Sequence, residues 1–461
     1  MKRSRILIFI WAVIAFLAIV CAVFPSDGLE LGGLTLRFPS LTEILTGEEK
    51  EEGPSPEELL MQRERSMARA RLETLETFFR EDPARFILPD SSYTYFDSFF
   101  AALDLSSRRN VRIMHYGDSQ IEEDRISGVI RSELQKRFGG GGPGLVPAAT
   151  HYSFTASQTA TSSPSRYIVF GEGNRTRDGR YGPSGAFHRL YGHQKLNMSM
   201  NRTRQKPPRP VTTFNRVTVL SGNVRTPLVV ECAGIRDTVG KGTEGIVRSR
   251  FTLPDSTSKA SVSISGSADL FGVMYDCDTG VSLDNIAMRG CSGSIFTKMD
   301  EGQLCDFWRG ENVRMILLQY GGNMVPYTKT AKAISQYKAN LETQIRVVRK
   351  FAPGAAVVLV GPSDMSTSRG GRMQTYEHLP MFIDSLKAAA SECGIAYWDI
   401  YSAMGGRNSM VKWVNSKPSL AGNDYVHFSP RGSQKVGELF VGSLMLYYEA
   451  YKNRKQWTGA Q

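Results

Sequence analysis

The sequence predicts an α/β fold: a parallel sheet with helices on both faces, interrupted by an all-β insert and preceded by a transmembrane helix. Three observations predict it. Strand-length apolar runs alternate with helical stretches over Val111–Phe138 and again from Val313 onward. Residues 148–284 instead hold short β-rich runs separated by Gly, Pro, Asp, Ser and Thr clusters. Ile6 to Phe24 is uncharged and apolar throughout. Strand–helix alternation is the pattern of parallel sheets, and closely spaced short strands that of a sandwich or jelly roll.

At the N-terminus, Lys2, Arg3 and Arg5 precede the nineteen apolar residues Ile6–Phe24. At about 1.5 Å per helical residue this run spans the roughly 30 Å bilayer core. The basic flank favours the cytoplasm, which puts the rest of the chain outside it. A cleaved signal peptide is the rival reading, but its apolar region would be shorter, and Ala22-Val23-Phe24 fits a cleavage site poorly. Residues 1–27 are therefore assigned to a signal-anchor and 28–107 to a linker and helical segment. Within the latter, Gly47–Pro54 is a charged linker, and Ser55-Pro56 starts a helix with Ser as N-cap. Leu59, Leu60, Met67, Leu72, Leu75, Phe78 and Phe79 continue it at helical spacing to about Arg80. A second helix covers Tyr95–Leu103.

The α/β domain opens at residues 108–147. A strand, Val111–Tyr116, runs into Gly117-Asp118-Ser119-Gln120. A helical stretch follows from about Ile121 to Phe138 and is stopped by Gly139–Gly142. That glycine run follows a helix and lacks a Gly-Lys-Ser/Thr ending, so it is no phosphate cradle. In the insert, 148–284, the strand candidates are Tyr167–Phe170, Arg216–Leu220, Pro227–Glu231, Ile246–Phe251, Ala260–Ile264 and Leu270–Tyr275. The α/β pattern resumes over 285–461, with strands Val313–Tyr320, Ala355–Val360 and Ile395–Ile400. Helices cover Lys329–Lys350 and Pro380–Cys393, and a last one begins near Ser429.

Composition narrows the function classes. With 41% hydrophobic and 22% charged residues the chain is globular, and its net charge of +11 suits anionic headgroups or acidic envelope polymers. Nucleic acid is disfavoured, because no zinc-finger or RNA-binding signature is present and the densest basic run, Arg202–Arg209, reads as a proline-rich loop. Of six cysteines, Cys21 lies in the apolar run. Cys277, Cys291 and Cys305 could include a disulfide, with buried free thiols the alternative. No CxxC or HExxH spacing occurs, so a metal enzyme is disfavoured and no cofactor is called for.

Ligands of parallel sheets bind beyond the carboxyl ends of the strands, and three stretches fall there: Gly117–Gln120, Gly321-Gly322-Asn323 and Asn423–His427. A serine hydroxyl needs a base to become a nucleophile. An imidazole exchanges protons near neutral pH, so His427 can serve Ser119. Asp424, three residues earlier, can hold the imidazole through Nδ1, and Ser429-Pro430 fixes the loop as N-cap and first helical residue. Donors for a developing oxyanion are the Ser119 N–H, the Asn323 side chain and the Gly293 N–H, with Gly290 the alternative to Gly293. The acidic group Asp118 and Glu122–Asp124 reads as helix N-terminal capping, and His115 as packing beside the site.

These blocks resemble the GDSL/SGNH hydrolase superfamily, named for a Ser, Gly, Asn and His in four separated blocks. Gly117-Asp118-Ser119-Gln120 matches the first, with Gln120 replacing the usual leucine. Gly293 matches the second. Gly321–Asn323 matches the third, with Met324 where an Asp is usual, and Asp424–His427 matches the Asp-x-x-His of the last. The resemblance covers about Val111–Pro147 and Asn285–Lys452 and implies a flavodoxin-like three-layer SGNH hydrolase domain. Gly117–Glu122 with Asp124-Arg125, Lys136–Gly139 and Gly142–Val146 are similar to envelope esterases that remove O-acetyl groups from peptidoglycan. That likeness implies a carbohydrate-binding-module-like β-sandwich, an O-acetylated glycan substrate and a periplasmic location. The alternatives are an SGNH-type O-acetyltransferase and a non-catalytic glycan-binding scaffold.

Overall fold

A computed structural model describes residues 2–25, 28–31, 34–36, 38–46, 56–90, 92–201 and 212–458. The charged linker, the Ser55 cap and the basic run at 202–209 lie outside these residues. The chain divides into two units, 1–73 and 74–461.

The first unit begins with the helix Lys2–Val23, of which Ser4–Val23 has mean hydropathy 3.2 and is long and apolar enough to cross a membrane. A two-stranded antiparallel hairpin, Leu29–Leu31 with Leu34–Leu36, and the short helix Leu41–Thr46 follow. A longer helix, Pro56–Glu81, continues past the unit boundary.

The second unit is built on a six-stranded sheet. Its parallel strands are β1 (Asn110–Gly117), β2 (Gly280–Ala287), β3 (Val313–Gln319), β4 (Ala356–Val360) and β5 (Ala396–Trp398). Their spatial order is 2-1-3-4-5, with the two-residue strand Phe86–Ile87 antiparallel on the far edge. This is the flavodoxin-like order, whose switch point lies between the first and third strands. Alternate side chains divide the strands between two cores. Met114, Tyr116, Ile316, Leu318, Val357 and Leu359 face one layer, with Ile345, Phe382 and Trp308 from its helices. Val111, Ile113, Met315, Leu317, Val358 and Val360 face the other, with Phe100, Ile130, Leu444 and Tyr447. The expected boundary at 284 falls inside β2, which already pairs with β1 from Gly280.

Two sequence expectations change in detail. The stretch from Ile121 to Phe138 is not one helix. A 3-10 turn at Glu122–Asp124 precedes an α-helix, Ser127–Phe138, and Glu123 and Asp124 take φ of 58° and 69°. Left-handed backbone at two successive residues ends a helical path. Four of the insert's candidate strands prove to be parts of two longer ones, Phe214–Cys232 and Lys259–Asp276; Tyr167–Phe170 is offset, the strand there being Ser165–Ile168, and Ala186–Met200 is an additional fifteen-residue strand.

Eight strands of the insert, with Gly144–Val146 just before it as a ninth, form one continuous antiparallel sheet around its own core, including Leu196, Phe214, Val230, Ile264 and Tyr275. Buried charges join it to the parallel sheet. The Arg112 guanidinium on β1 meets Asp284 on β2 at 2.7 Å and also Asp276 at the insert's end, and Arg216 binds Asp276 at 2.8 Å. All six cysteines are free.

Candidate active site

Three strand ends are level in register: Ala287 of β2 and Gln319 of β3 both lie opposite Gly117 of β1. The chain therefore leaves β1 at the switch point, and Ser119 sits two residues beyond it. Gly117 suits a crowded position, since a Cβ there would stand 2.9 Å from Ile121 Cδ1, which would have to shift, and 3.1 Å from the Gln319 carbonyl oxygen. The tight turn it permits is closed by the Ile121 N–H donating to the Asp118 carbonyl at 3.3 Å.

Across 308 residues of sequence, Ser119 Oγ lies 2.8 Å from His427 Nε2. His427 Nδ1 lies 2.7 Å from Asp424 Oδ2. The other carboxylate oxygen of Asp424 accepts the backbone N–H groups of Val426 and His427, each at 3.0 Å. Partial burial would raise the Asp424 pKa, but the His427 ring and the two backbone N–H groups outweigh it and hold the carboxyl below its ordinary value. The aspartate is thus ionised and its orientation fixed by donors on its own loop. The loop is closed by Ser429, whose Oγ accepts from the Gly432 N–H at 3.2 Å at the start of the helix Pro430–Thr458.

The expected oxyanion donors converge on the same end of the sheet. Gly293 has φ of 91°, and a Cβ there would stand 2.9 Å from the Tyr320 ring, so only glycine fits. Its N–H faces Cys291 Sγ at 3.4 Å, a weak acceptor. Asn323 Nδ2 donates to Asp118 Oδ2 at 2.8 Å and to the Cys291 carbonyl at 3.2 Å.

Asp118 departs from the capping role expected of it. It is almost fully buried, and it accepts the Gln120 N–H at 3.0 Å as well as the Asn323 amide. Burial pushes its pKa up to about 6, against the Gln120 N–H, the neighbouring His427 and Asn323. Glu122 and Asp124 also pair with specific partners: Glu122 with Arg289 at 2.6 Å, Asp124 with buried Arg131 at 2.5 Å. His115 is buried between Ser127 Oγ (2.9 Å) and Gln319 Oε1 (3.1 Å), and burial lowers its pKa to about 4, keeping it neutral.

One contact had no signal in the sequence beyond a departure from the family pattern. Gln120 Nε2 donates to the Val426 carbonyl at 2.6 Å, joining the nucleophile turn directly to the histidine loop. A leucine at 120 could not make this bond. Among the described residues no group of three or more His, Cys, Asp or Glu is arranged to hold a metal ion.

Residues 263–435 match the GDSL-like Lipase/Acylhydrolase family. The match spans Gly293, Asn323, Asp424 and His427 and begins after Ser119. A solved peptidoglycan O-acetylesterase is 18% identical, covering 79% of this chain and 99% of its own with a TM-score of 0.65. A family two carbohydrate esterase from Cellvibrio japonicus is 11% identical over 64% of this chain and 98% of its own, TM-score 0.26. The acetyl xylan esterase AlAXEase is 14% identical over 36% and 81%, TM-score 0.27. No curated protein matches the chain. At 18% identity the first likeness is one of fold.

Proposed function

We propose that this chain, whose residues 263–435 match the GDSL-like lipase/acylhydrolase family, is a serine esterase removing O-acyl groups, chiefly O-acetyl, from an envelope polysaccharide such as peptidoglycan. The observation that supports this most is the unbroken chain from Ser119 Oγ through the His427 imidazole to the Asp424 carboxylate, at 2.8 and 2.7 Å.

In this reading Ser119 Oγ attacks the ester carbonyl carbon while His427 Nε2 takes its proton. Asp424 holds the Nδ1–H tautomer and stabilises the imidazolium. The tetrahedral intermediate's oxyanion is met by the N–H groups of Ser119 and Gly293 and by Asn323 Nδ2. Engaging Gly293 costs only its weak bond to sulfur. Engaging Asn323 costs its longer bond, the one to the Cys291 carbonyl, while the Asp118 bond keeps the amide in place. A neutral hydrogen bond contributes about 1 kcal/mol net, whereas an oxyanion donor is worth about 2.7–4 kcal/mol in the transition state, so the exchange favours catalysis. His427 then returns the proton to the departing sugar oxygen. It next takes one from water, which attacks the acyl-serine and restores the Ser119 hydroxyl.

The glycan class is supported by the blocks around Ser119 and Gly142–Val146 and by the fold shared with a peptidoglycan O-acetylesterase. The partition into an anchor (1–27), a linker and helical segment (28–107), a hydrolase domain (108–147 and 285–461) and a carbohydrate-binding-module-like β-sandwich (148–284) belongs to the same proposal, with the last boundary moved back to the start of β2 at Gly280. So does an extracytoplasmic catalytic unit on the periplasmic side of the inner membrane. Lys2, Arg3 and Arg5 ahead of the apolar run Ile6–Phe24 support that orientation.

The test is acetate release by the detergent-solubilised full chain from O-acetylated peptidoglycan, acetylated xylan and aryl acetates, against Ser119→Ala. Expected is release by the native chain, fastest on peptidoglycan, and loss with the variant. Equal release by both would end the esterase reading. Transfer of acetyl to added glycan exceeding hydrolysis would make it an acyltransferase.

A further inference from the structure

Where the insert meets the free edge of β2, a cavity of about 80 Å³ opens beside the candidate active site. Arg166 and His188 line it from neighbouring strands of the insert, where they are direct register partners. Asn285 and Met288 line it from the end of β2. That wall is bonded to both sides of the nucleophile: the Met288 N–H donates to the Gly117 carbonyl at 2.9 Å, and Asn285 Nδ2 to the Ile121 carbonyl at 2.7 Å.

Two of the polar side chains lining this cavity, Arg166 and His188, have no side-chain partner among the described residues. Arg189, Arg216, Arg225, Arg236 and Arg248 of the insert each pair with an Asp or Glu. Arg166, an exposed residue, pairs with none among the described residues, and the partial burial of its guanidinium lowers its pKa with no counter-charge to oppose it. His188 is buried, at 8% exposure, and its ring has no hydrogen-bond partner among the described residues. Burial and the Arg166 charge bring its pKa to about 4, so near neutral pH the ring is uncharged and keeps one donor and one acceptor free. An unpaired guanidinium prefers a planar two-oxygen anion. The cavity has room for a small planar group such as a carboxylate.

Resting on the esterase reading above, we propose that this cavity is a substrate subsite for a carboxylate carried by the acylated glycan, with Arg166 as its counter-charge and His188 hydrogen-bonding the same group or an adjacent hydroxyl. The ester lies at Ser119 while a carboxylate of the same chain enters the cavity across β2. The site therefore selects acidic glycans over neutral ones. Either a sugar-borne carboxylate, such as a lactyl ether, or one on an attached peptide supplies that chemistry.

The test is binding, measured by calorimetry on the full chain carrying Ser119→Ala, so turnover plays no part. The ligands are acetylated glycan fragments bearing a sugar carboxylate, fragments bearing a peptide carboxylate, and both with the carboxylate amidated. Amidation should weaken at least one acid form by about 10-fold, the worth of one charge-assisted bond reachable by solvent; the form affected identifies the source. Adding Arg166→Gln should bring that acid form down to its amide without changing the amide, and Arg166→Lys should restore part of the difference. Equal affinity of acid and amide forms, equal weakening of both by Arg166→Gln, or no binding of either acid form would overturn the proposal. Failure of the esterase reading shows separately, as an unchanged aryl acetate rate in Ser119→Ala.

Discussion

Replacing Asp424 by asparagine separates charge from orientation at this site. Asp424 Oδ1 accepts two backbone N–H groups at 3.0 Å and Oδ2 faces His427 Nδ1 at 2.7 Å. An asparagine has one oxygen for both tasks. If that oxygen stays on the backbone, its NH2 faces Nδ1, the ring proton moves to Nε2, and the imidazole cannot accept the Ser119 proton. If it turns to Nδ1, two backbone bonds are lost, at about 1 kcal/mol each. To this is added the lost stabilisation of the imidazolium. The Asp424 side chain is 50% exposed, so an effective permittivity of about 40 is reasonable, and Coulomb's law at the observed separation then gives about 3 kcal/mol. The sum, about 5 kcal/mol, lowers kcat by roughly 4,000-fold. Alanine removes the charge and all three of the carboxylate's bonds, but at a half-exposed position water can meet the two freed backbone N–H groups and no wrong tautomer is imposed, so about 4 kcal/mol, or roughly 1,000-fold, is expected. The assay is kcat and KM for an aryl acetate across neutral pH, with both variants beside the native chain. The expected order is native, then Asp424→Ala, then Asp424→Asn, with KM little changed. Asparagine retaining more than about a tenth of native kcat, or exceeding alanine, would refute the tautomer argument.

Three further outcomes follow from the geometry. Gln120→Leu removes the 2.6 Å bond to the Val426 carbonyl and should lower kcat by about 5–10-fold, the equivalent of one hydrogen bond, with the unfolding midpoint nearly unchanged; an unaltered kcat would remove Gln120 from the site's positioning. Gly293→Ala forces φ of 91° on an alanine against the Tyr320 ring and should cost about 1–3 kcal/mol in chemical denaturation; a neutral result would mean the loop adapts freely. Asp118 has its pKa raised from 3.8 to about 6. Its contribution to stability is therefore full below about pH 3.8 and is lost as pH rises through about 6, a span of roughly 3 kcal/mol. The stability of Asp118→Asn relative to the native chain should rise by about that amount between pH 4 and pH 8, and parallel pH profiles would contradict the raised pKa.

The sheet and the blocks that bring Ser119, His427 and Asp424 together were legible in the sequence because each is encoded locally. Continuous apolar runs mark Val313–Gln319 and Ala356–Val360 as buried parallel strands, and Ser119, Asp424 and His427 stand in short blocks beside them. The insert was harder. Ala186–Met200 alternates buried and exposed residues, but its outward positions and several inward ones are His, Lys, Gln, Asn and Ser, which dilutes the apolar signal. The strands Phe214–Cys232 and Lys259–Asp276 each carry polar or glycine residues at register shifts, such as Gly222 and Ser267, and so read as two short strands apiece. The break at Glu123 and Asp124 depends on Asp124 being drawn to Arg131 and Thr155, and the role of Asp118 depends on Asn323, 205 residues away. No local pattern encodes such pairings, which arise only when the chain closes on itself.

The central claim is that the Ser119 hydroxyl is activated by His427. Its most direct measurement is the intact mass and peptide map of the detergent-solubilised full chain after exposure to a fluorophosphonate. One adduct is expected, on the peptide containing Ser119, and it should be abolished by Ser119→Ala and slowed by roughly a thousandfold or more in His427→Ala. An adduct on another residue, or labelling of Ser119 at the native rate without His427, would contradict the account.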